Sequence, residues 1–255
     1  MDPSYLKALL VVCPFVFLAA FVDAIAGGGG LISLPAYLAA GLPIHVAYGT
    51  NKLTSCCGIT FSTLKYARSG YIRWRPALVA GVGALIGSAM GVRLVLILSE
   101  ETLRWALVFI LPVVAVFLLF NRGFGKEQKP RELSPGVLYL LVFLIGLVIG
   151  AYDGFFGPGT GTFLVIAFTA VVGWNLTTAT GNTKVVNFCS NFSALIGYII
   201  SGNVNFAVGL PAALCGILGS WLGASMAVKK GASFIRPVVI FAVGLLFINI
   251  IKDMF

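Results

Sequence analysis

Ten long apolar stretches, separated by short polar breaks, constrain this chain more than any other feature of its sequence. Charged residues make up only 10% of the chain, whereas a soluble domain carries roughly 25%. The longer stretches approach the roughly 20 residues that a helix needs to cross a bilayer. The sequence therefore predicts an all-α integral membrane protein with about ten membrane segments, and the net charge of +9 indicates topology rather than nucleic-acid binding. The stretches run about 5–25, 31–46, 53–67, 76–98, 102–120, 136–152, 161–175, 185–200, 204–227 and 235–251.

The second half of the chain repeats the first. Asp23 and Asp153 match at an offset of 130 residues, and further identities follow one another at an offset of 132. A single charged linker lies between the halves. We therefore divide the chain into a first membrane repeat (1–120), a cytoplasmic linker (121–136) and a second membrane repeat (137–255). The identities at 132 include the pairs Gly49/Gly181, Lys52/Lys184, Tyr66/Tyr198, Gly87/Gly219 and Phe109/Phe241.

The charges of the loops indicate that the two repeats are inverted. The loop at 65–75 is basic, whereas its counterpart at 201–203 is uncharged, and the next loop reverses this pattern, with Glu100 in the first repeat against Lys229 in the second. Basic loops face the cytoplasm, which gives five segments per repeat and places both termini outside the cell (inner) membrane. The first two segments of each repeat either cross fully or form a broken pair that turns as a hairpin at the midplane. Inverted repeats are a recurrent architecture of transporters.

Each repeat carries a carboxylate immediately before a glycine-rich run. Ionisable groups inside a membrane are costly and usually functional, so we predict that Asp23 and Asp153 couple protons to the activity. Non-helical backbone at membrane depth lines a cavity or is buried in protein, and a helix that restarts after it offers free N–H groups to an anion. The predicted substrate-binding residues of these runs are Gly27, Gly28, Gly29, Gly30, Gly157, Pro158, Gly159, Thr160 and Gly161.

A second polar motif follows each glycine-rich run. It places a lysine, Lys52 or Lys184, behind residues that we interpret as a helix N-cap. A cation in the first turn opposes the helix dipole, so it needs a partner. That partner is either an anionic substrate or an aspartate of the same or the opposite repeat. The motif adds Thr50, Asn51, Lys52, Asn182, Thr183 and Lys184 to the predicted substrate site.

Structural interpretations of the same residues stay open. The aspartates can cap neighbouring backbone, the lysines can extend to the lipid headgroups, and glycines can permit close helix packing. We assign that packing role to the GxxxG pairs Gly87/Gly91 and Gly219/Gly223. The sequence shows no catalytic triad, metal-ligand cluster or nucleotide-binding loop, so we expect neither an enzyme nor a cofactor or metal.

These motifs also carry a resemblance. DAIAGGGGLISLP followed by GTNK, and YDGFFGPGTGTF followed by GNTK, resemble the TauE/SafE sulfite exporter family from about residue 9 to 253. The resemblance implies a transporter of small sulfur-containing anions such as sulfite, sulfoacetate or other organosulfonates, which we expect to use alternating access and a proton gradient or membrane potential. Two alternatives remain: an anion channel of the same architecture, or a thiol or sulfur-relay protein using Cys57 and Cys189. A homo-oligomer is compatible with each.

Overall fold

The computed structural model describes residues 3–103, 105, 106, 109 and 133–231. These residues form helices and turns, without any strand among them. The predicted segment at 235–251 and most of the linker lie outside the described residues, as does the segment at 102–120 apart from residues 102, 103, 105, 106 and 109. The helices that the structure delimits are α1 (Pro3–Ala26), α2 (Gly30–Ala39), α3 (Ile44–Arg68), α4 (Trp74–Ile97), α5 (Pro135–Phe155), α6 (Thr160–Ala167), α7 (Leu176–Ile200) and α8 (Phe206–Lys230).

Four of these helices, α1, α4, α5 and α8, are long and apolar enough to cross a membrane. Helices α3 and α7 are equally long, with 25 residues each, but they carry the polar lysine motifs and are less apolar as a result. Helices α2 and α6 are short, and α6 continues into a π-helical turn at Phe168–Val172. For the described residues, the prediction of an all-helical membrane protein is confirmed.

The predicted helix breaks are present at both glycine-rich runs. Helix α1 ends before Gly27 and Gly28, whose φ angles are 77° and 93°, and α5 ends before Gly157 and Gly159, whose φ angles are 88° and 84°. Residues with a Cβ rarely adopt this left-handed region, so glycine is needed where the backbone leaves one helix and enters the next. Each half thus contains a long helix that ends two or three residues after its aspartate. Three or four residues then separate it from the start of a short helix.

The interpretation of the lysine motifs as helix N-caps is wrong. Helix α3 begins at Ile44 and α7 begins at Leu176, so Lys52 and Lys184 lie in the third turn of each helix. The N-cap residues of these two helices are Pro43 and Asn175 instead. Consecutive polar residues are typical of a helix N-cap. The polar residues of these motifs lie inside the helices instead, because neighbouring helices supply partners for their side chains within the protein.

Glycines bring the helices of opposite halves into backbone contact. Helix α4 packs along α5 and α8 packs along α1, with each pair running parallel. A Cβ added at Gly87 would lie 2.1 Å from the carbonyl oxygen of Leu147, and one at Gly219 would lie 2.2 Å from that of Phe17. Such contacts are possible only without side chains, as in other membrane helix interfaces. The packing role assigned to these GxxxG pairs is confirmed.

Helices α3 and α7 run antiparallel through the middle of the molecule. The backbone N–H of Asn205, beyond the end of α7, donates to the hydroxyl of Thr50 near the start of α3 at 3.0 Å. Reciprocally, the N–H of Arg73, beyond the end of α3, donates to the side-chain oxygen of Asn182 near the start of α7 at 3.0 Å. The end of each helix is therefore fixed beside the beginning of the other, and the lysines of both helices are brought into the interior.

We expect Gly87→Ala to destabilise the protein, because the new methyl group would push α4 away from the α5 backbone. Overpacking of this kind costs about 1–3 kcal/mol. Gly136→Ala is the matched control, since a Cβ at Gly136 meets no atom within 4 Å. Thermal unfolding in detergent should show a lower Tm for the first variant only. Equal Tm values would contradict the described helix interface.

Candidate functional site

Two buried ion pairs join the halves of the protein. Lys52 Nζ lies 2.9 Å from Asp153 Oδ2, and Lys184 Nζ lies 3.2 Å from Asp23 Oδ2. Each lysine therefore pairs with the aspartate of the other half, which is one of the partners that the sequence left open. Removing one member of a buried pair typically costs about 3–5 kcal/mol, because the remaining charge loses its compensation. The pairs consequently tie the two halves together at the level of the helix breaks.

Helix ends add to the binding of each lysine. Lys52 Nζ donates to the backbone carbonyl of Asp153 at 2.8 Å, and Lys184 Nζ donates to the backbone carbonyl of Asp23. Both aspartates belong to the last turn of their helices, α5 and α1, where the helix dipole is negative, and the Asp23 carbonyl also accepts from the N–H of Gly27 at 2.8 Å. A glycine-rich break after each aspartate thus creates a cation site inside the protein, which a continuous helix would not offer.

The two glycine-rich runs cross each other at close range. A Cβ added at Gly27 would lie 2.3 Å from the carbonyl carbon of Gly161, and one added at Gly161 would lie 2.6 Å from Gly27 Cα. The hydroxyl of Thr162 donates to the carbonyl oxygen of Ala26 at 3.2 Å across this contact. Gly27 and Gly161 are therefore required for the approach of the two backbones, in addition to any role toward a ligand.

A polar cavity, here called the central cavity, lies between the two breaks and has an empty volume of about 310 Å³. The starts of α2 and α6 face it, with Gly30 on one side and Thr160 and Gly161 on the other. Helix N-termini present free N–H groups and partial positive charge, which favour an anion. Its lining consists of Asp23, Gly28, Gly30, Asn51, Lys52, Ser55, Ile59, Asp153, Gly157, Thr160, Gly161, Asn187 and Asn191.

A second cavity, here called the side cavity, adjoins the first and has an empty volume of about 320 Å³. Asp23, Gly30, Asn51, Ser55 and Ile59 line both cavities. The side cavity extends between α1, α3 and α8, and its further lining consists of Val16, Ala19, Ala20, Gly29, Ser33, Thr54, Gly58 and Ser220. Asp23 is consequently the one aspartate of the two ion pairs that borders both described cavities.

Hydrogen bonds orient the polar groups between the two cavities. The Ser33 hydroxyl donates to Asn51 Oδ1 at 2.6 Å, and the Tyr37 hydroxyl donates to the Thr54 hydroxyl at 3.0 Å. Because Asn51 Oδ1 is an acceptor in this contact, its amide nitrogen is left as a donor on the side of Gly30. The site therefore offers neutral donors as well as charges.

Several predicted substrate-binding residues have other contacts. Thr50 and Asn182 hold the loops before α8 and α4, as described above, and are absent from the lining of both cavities. Pro158 accepts a hydrogen bond from the Tyr152 hydroxyl through its carbonyl oxygen. Thr183 is fully buried, and its hydroxyl has no hydrogen-bond partner among the described residues. Lys184 reaches the site through its contact with Asp23, and Gly159 forms the N-cap of α6.

The sequence reasoning missed the polar residues that follow each lysine along its helix. Ser55 follows Lys52 by three positions, and Asn187 and Asn191 follow Lys184 by three and seven. This spacing places them on the same helix face as the lysine. Ser190 was also missed; its hydroxyl donates to Asp153 Oδ2 at 2.7 Å. Helical periodicity starting from each lysine would have identified the face.

The structure separates the two cysteines that a sulfur relay would use. Cys57 packs beside Leu53, Cys56 and Leu195, whereas Cys189 packs in a different apolar cluster and faces Gly81. Both are free thiols. Among the described residues, no group of three or more His, Cys, Asp or Glu side chains is arranged to hold a metal ion.

Comparisons with known proteins identify relatives over almost the whole chain. A probable membrane transporter protein of Haemophilus influenzae is 37% identical over 225 residues, covering 88% of this chain and 87% of the relative. The probable membrane transporter protein ORF9 of a Sinorhizobium species is 36% identical, with 98% and 94% covered. The probable membrane transporter protein YfcA of Escherichia coli K12 is 33% identical, with 99% and 92% covered. No solved structure matches the chain.

The model of one protein family matches residues 12–250, and its description is sulfite exporter TauE/SafE. The matched range includes both glycine-rich breaks, both lysines and both aspartates of the site. By this match, the chain belongs to the TauE/SafE sulfite exporter family of membrane proteins.

Proposed function

We propose that the protein is a secondary transporter that exports small sulfur-containing anions, such as sulfite, sulfoacetate or other organosulfonates, across the cell membrane. Export proceeds by alternating access and is driven by a proton gradient or the membrane potential. The anion binds in the central cavity. The observation that carries the proposal is the convergence of two helix N-termini and the buried Lys52–Asp153 and Lys184–Asp23 pairs on that cavity.

The chemistry of the cavity suits a sulfonate or sulfite group. Such a group presents several acceptor oxygens, which the starts of α2 and α6 can share from opposite sides. The amides of Asn51, Asn187 and Asn191 and the hydroxyl of Thr160 line the same space as neutral donors. The lysines supply the positive charge. Each is already paired with an aspartate, so the anion competes with that carboxylate for the lysine.

An inverted arrangement of the two repeats is supported by the helix packing. Helix α1 runs parallel to α8 and α5 runs parallel to α4, whereas α3 and α7 are antiparallel. Helices α1 and α5, which occupy equivalent places in the two repeats, therefore run in opposite directions. In the proposed transporter the halves exchange conformations, which converts an outward-open cavity into an inward-open one. Asp23 and Asp153 lie on the contact between the halves, where a change of protonation can influence the exchange.

Transport by the purified protein in liposomes tests the proposal directly. We expect saturable flux of at least one of sulfite, sulfoacetate and thiosulfate. Taurine should move more slowly, because its ammonium group cancels the charge of its sulfonate. Lys52→Gln and Lys184→Gln should each weaken anion binding by at least about tenfold, which corresponds to about 1.4 kcal/mol, because each removes one positive charge and leaves an aspartate uncompensated. Glutamine retains a donor for the aspartate, which preserves the fold.

Lys229→Ala is the control for these variants, because Lys229 is exposed at the end of α8, away from both cavities. Its anion affinity should equal that of the unmodified protein. If the three anions neither bind nor move, or if both glutamine variants retain full affinity, the central cavity is not an anion site. Flux that rises linearly with concentration would indicate a channel instead.

The topology has its own test. We expect Arg75→Cys to react with a membrane-impermeant thiol reagent only from the cytoplasmic side and Ser201→Cys only from outside, in a chain whose five native cysteines are replaced. Both positions are exposed at the ends of helices, and they occupy loops of opposite charge pattern. Labelling of whole cells and of inverted membrane vesicles distinguishes the sides. Reaction of both cysteines from one side would contradict the inverted repeats.

A further inference from the structure

The two ion pairs are equivalent in sequence but differ in their surroundings. Asp153 Oδ2 accepts from Lys52 and from Ser190 at 2.7 Å, and only 3% of its side chain is exposed. Asp23 lies 3.2 Å from Lys184, its side chain is 16% exposed, and its other oxygen accepts a long hydrogen bond of 3.3 Å from the backbone N–H of Gly29. Both contacts of Asp153 are on one oxygen and are short, at 2.9 and 2.7 Å, whereas those of Asp23 are longer, at 3.2 and 3.3 Å, so Asp153 is held more tightly than Asp23.

One substitution between the halves accounts for this difference. The position equivalent to Ser190 in the first half, 132 residues earlier, is Gly58. A glycine offers Asp23 no hydroxyl donor, and both Gly58 and Asp23 line the side cavity. Asp23 therefore has room to move away from Lys184, whereas Ser190 and Lys52 together fix Asp153.

The charge balance of the site links proton uptake to anion binding. The two lysines and two aspartates of the site sum to zero charge, so an added anion would leave an uncompensated negative charge in a poorly solvated space, which is costly. For an anion with a single charge, protonation of one aspartate restores neutrality, and it also releases one lysine. The proton comes from water and ends on a carboxylate oxygen, while the ammonium group exchanges the carboxylate for the anion.

We infer that Asp23 is the residue that takes up this proton. Its movement away from Lys184, which lines neither cavity while the pair is formed, opens that lysine to the anion, while the Lys52–Asp153 pair stays intact throughout. The inference rests on the proposed function and narrows the predicted proton coupling from two aspartates to one. The charged or titratable groups that face Asp23 are Lys184 from α7, Lys52 and the Tyr66 hydroxyl from α3, and Asp153 from α5 across the central cavity.

Calorimetric titration of the purified protein with methanesulfonate, an organosulfonate with a single charge, at several pH values tests the inference. Its sulfonate is ionised throughout this range, so the ligand itself takes up no proton. Over the range in which Asp23 is ionised in the free protein, uptake of one proton makes the Kd rise about tenfold for each unit of increasing pH. Asp23→Asn should abolish this dependence, because Lys184 is then always available. Asp153→Asn should retain it.

A second pair of variants tests the role of Asp23 without removing a charge. Gly58→Ser in a Ser220→Ala background is designed to supply the missing hydroxyl to Asp23. The second change removes Ser220 Oγ, which would lie 2.7 Å from a Cβ at Gly58, and leaves the Gly216 carbonyl oxygen at 3.2 Å. We expect weaker methanesulfonate binding by about tenfold relative to Ser220→Ala alone, because a carboxylate held by an added donor is harder to displace from Lys184. Unchanged binding would overturn the role of Gly58.

The outcomes separate the inference from the proposed function. If Asp153→Asn loses the pH dependence while Asp23→Asn retains it, or if both lose it equally, the assignment to Asp23 is wrong although the anion site stands. If the unmodified protein binds methanesulfonate with no pH dependence, proton-linked release of Lys184 is wrong. If methanesulfonate and the other sulfur anions do not bind, the proposed function itself fails. The infrared carbonyl band of a protonated carboxylic acid should appear on methanesulfonate binding and disappear in Asp23→Asn.

Discussion

The rest of the site depends on the crossed pairing of two buried lysines with the aspartates of the opposite half. A buried lysine is tolerated only when a carboxylate and further acceptors compensate its charge. Here each lysine in the middle of α3 or α7 meets the end of a helix from the other half, which supplies a carboxylate and a backbone carbonyl. This requirement explains why α1 and α5 stop inside the protein. It also balances the charges of the two lysines and two aspartates, so that in the proposed transporter anion binding is conditional on a change of charge.

Glycine makes this arrangement possible in two different ways. At Gly27 and Gly157 the positive φ angles let the chain leave a helix at the correct point, and the absence of side chains allows the runs to cross. Along α4 and α8, glycines bring helix backbones together, and that rigid packing fixes the positions of the ion pairs. The interrupted helices and the closely packed helices therefore serve one purpose, which is to hold four charged groups around a small cavity.

The sequence predicts much of this architecture, since apolar length, duplication and glycine-rich breaks report directly on helices in a membrane. It also predicts which residues carry charge at the site. It does not predict that α3 begins at Ile44 rather than just before Lys52, because polar residues look the same at a helix cap and on a buried helical face. Nor does it predict the difference between Asp23 and Asp153, which depends on a single neighbour, Gly58 against Ser190, that becomes adjacent only after folding.

The central claim is that a lysine of one half and an aspartate of the other stabilise each other inside the protein, and a double-mutant cycle measures this directly. The free energy of unfolding in detergent is compared for Lys52→Ala, Asp153→Ala and the double variant. Since each single variant leaves a buried charge without its partner, the double variant should be more stable than the sum of the single losses predicts, by more than about 1 kcal/mol. Additivity of the two losses within about 0.5 kcal/mol would contradict the account.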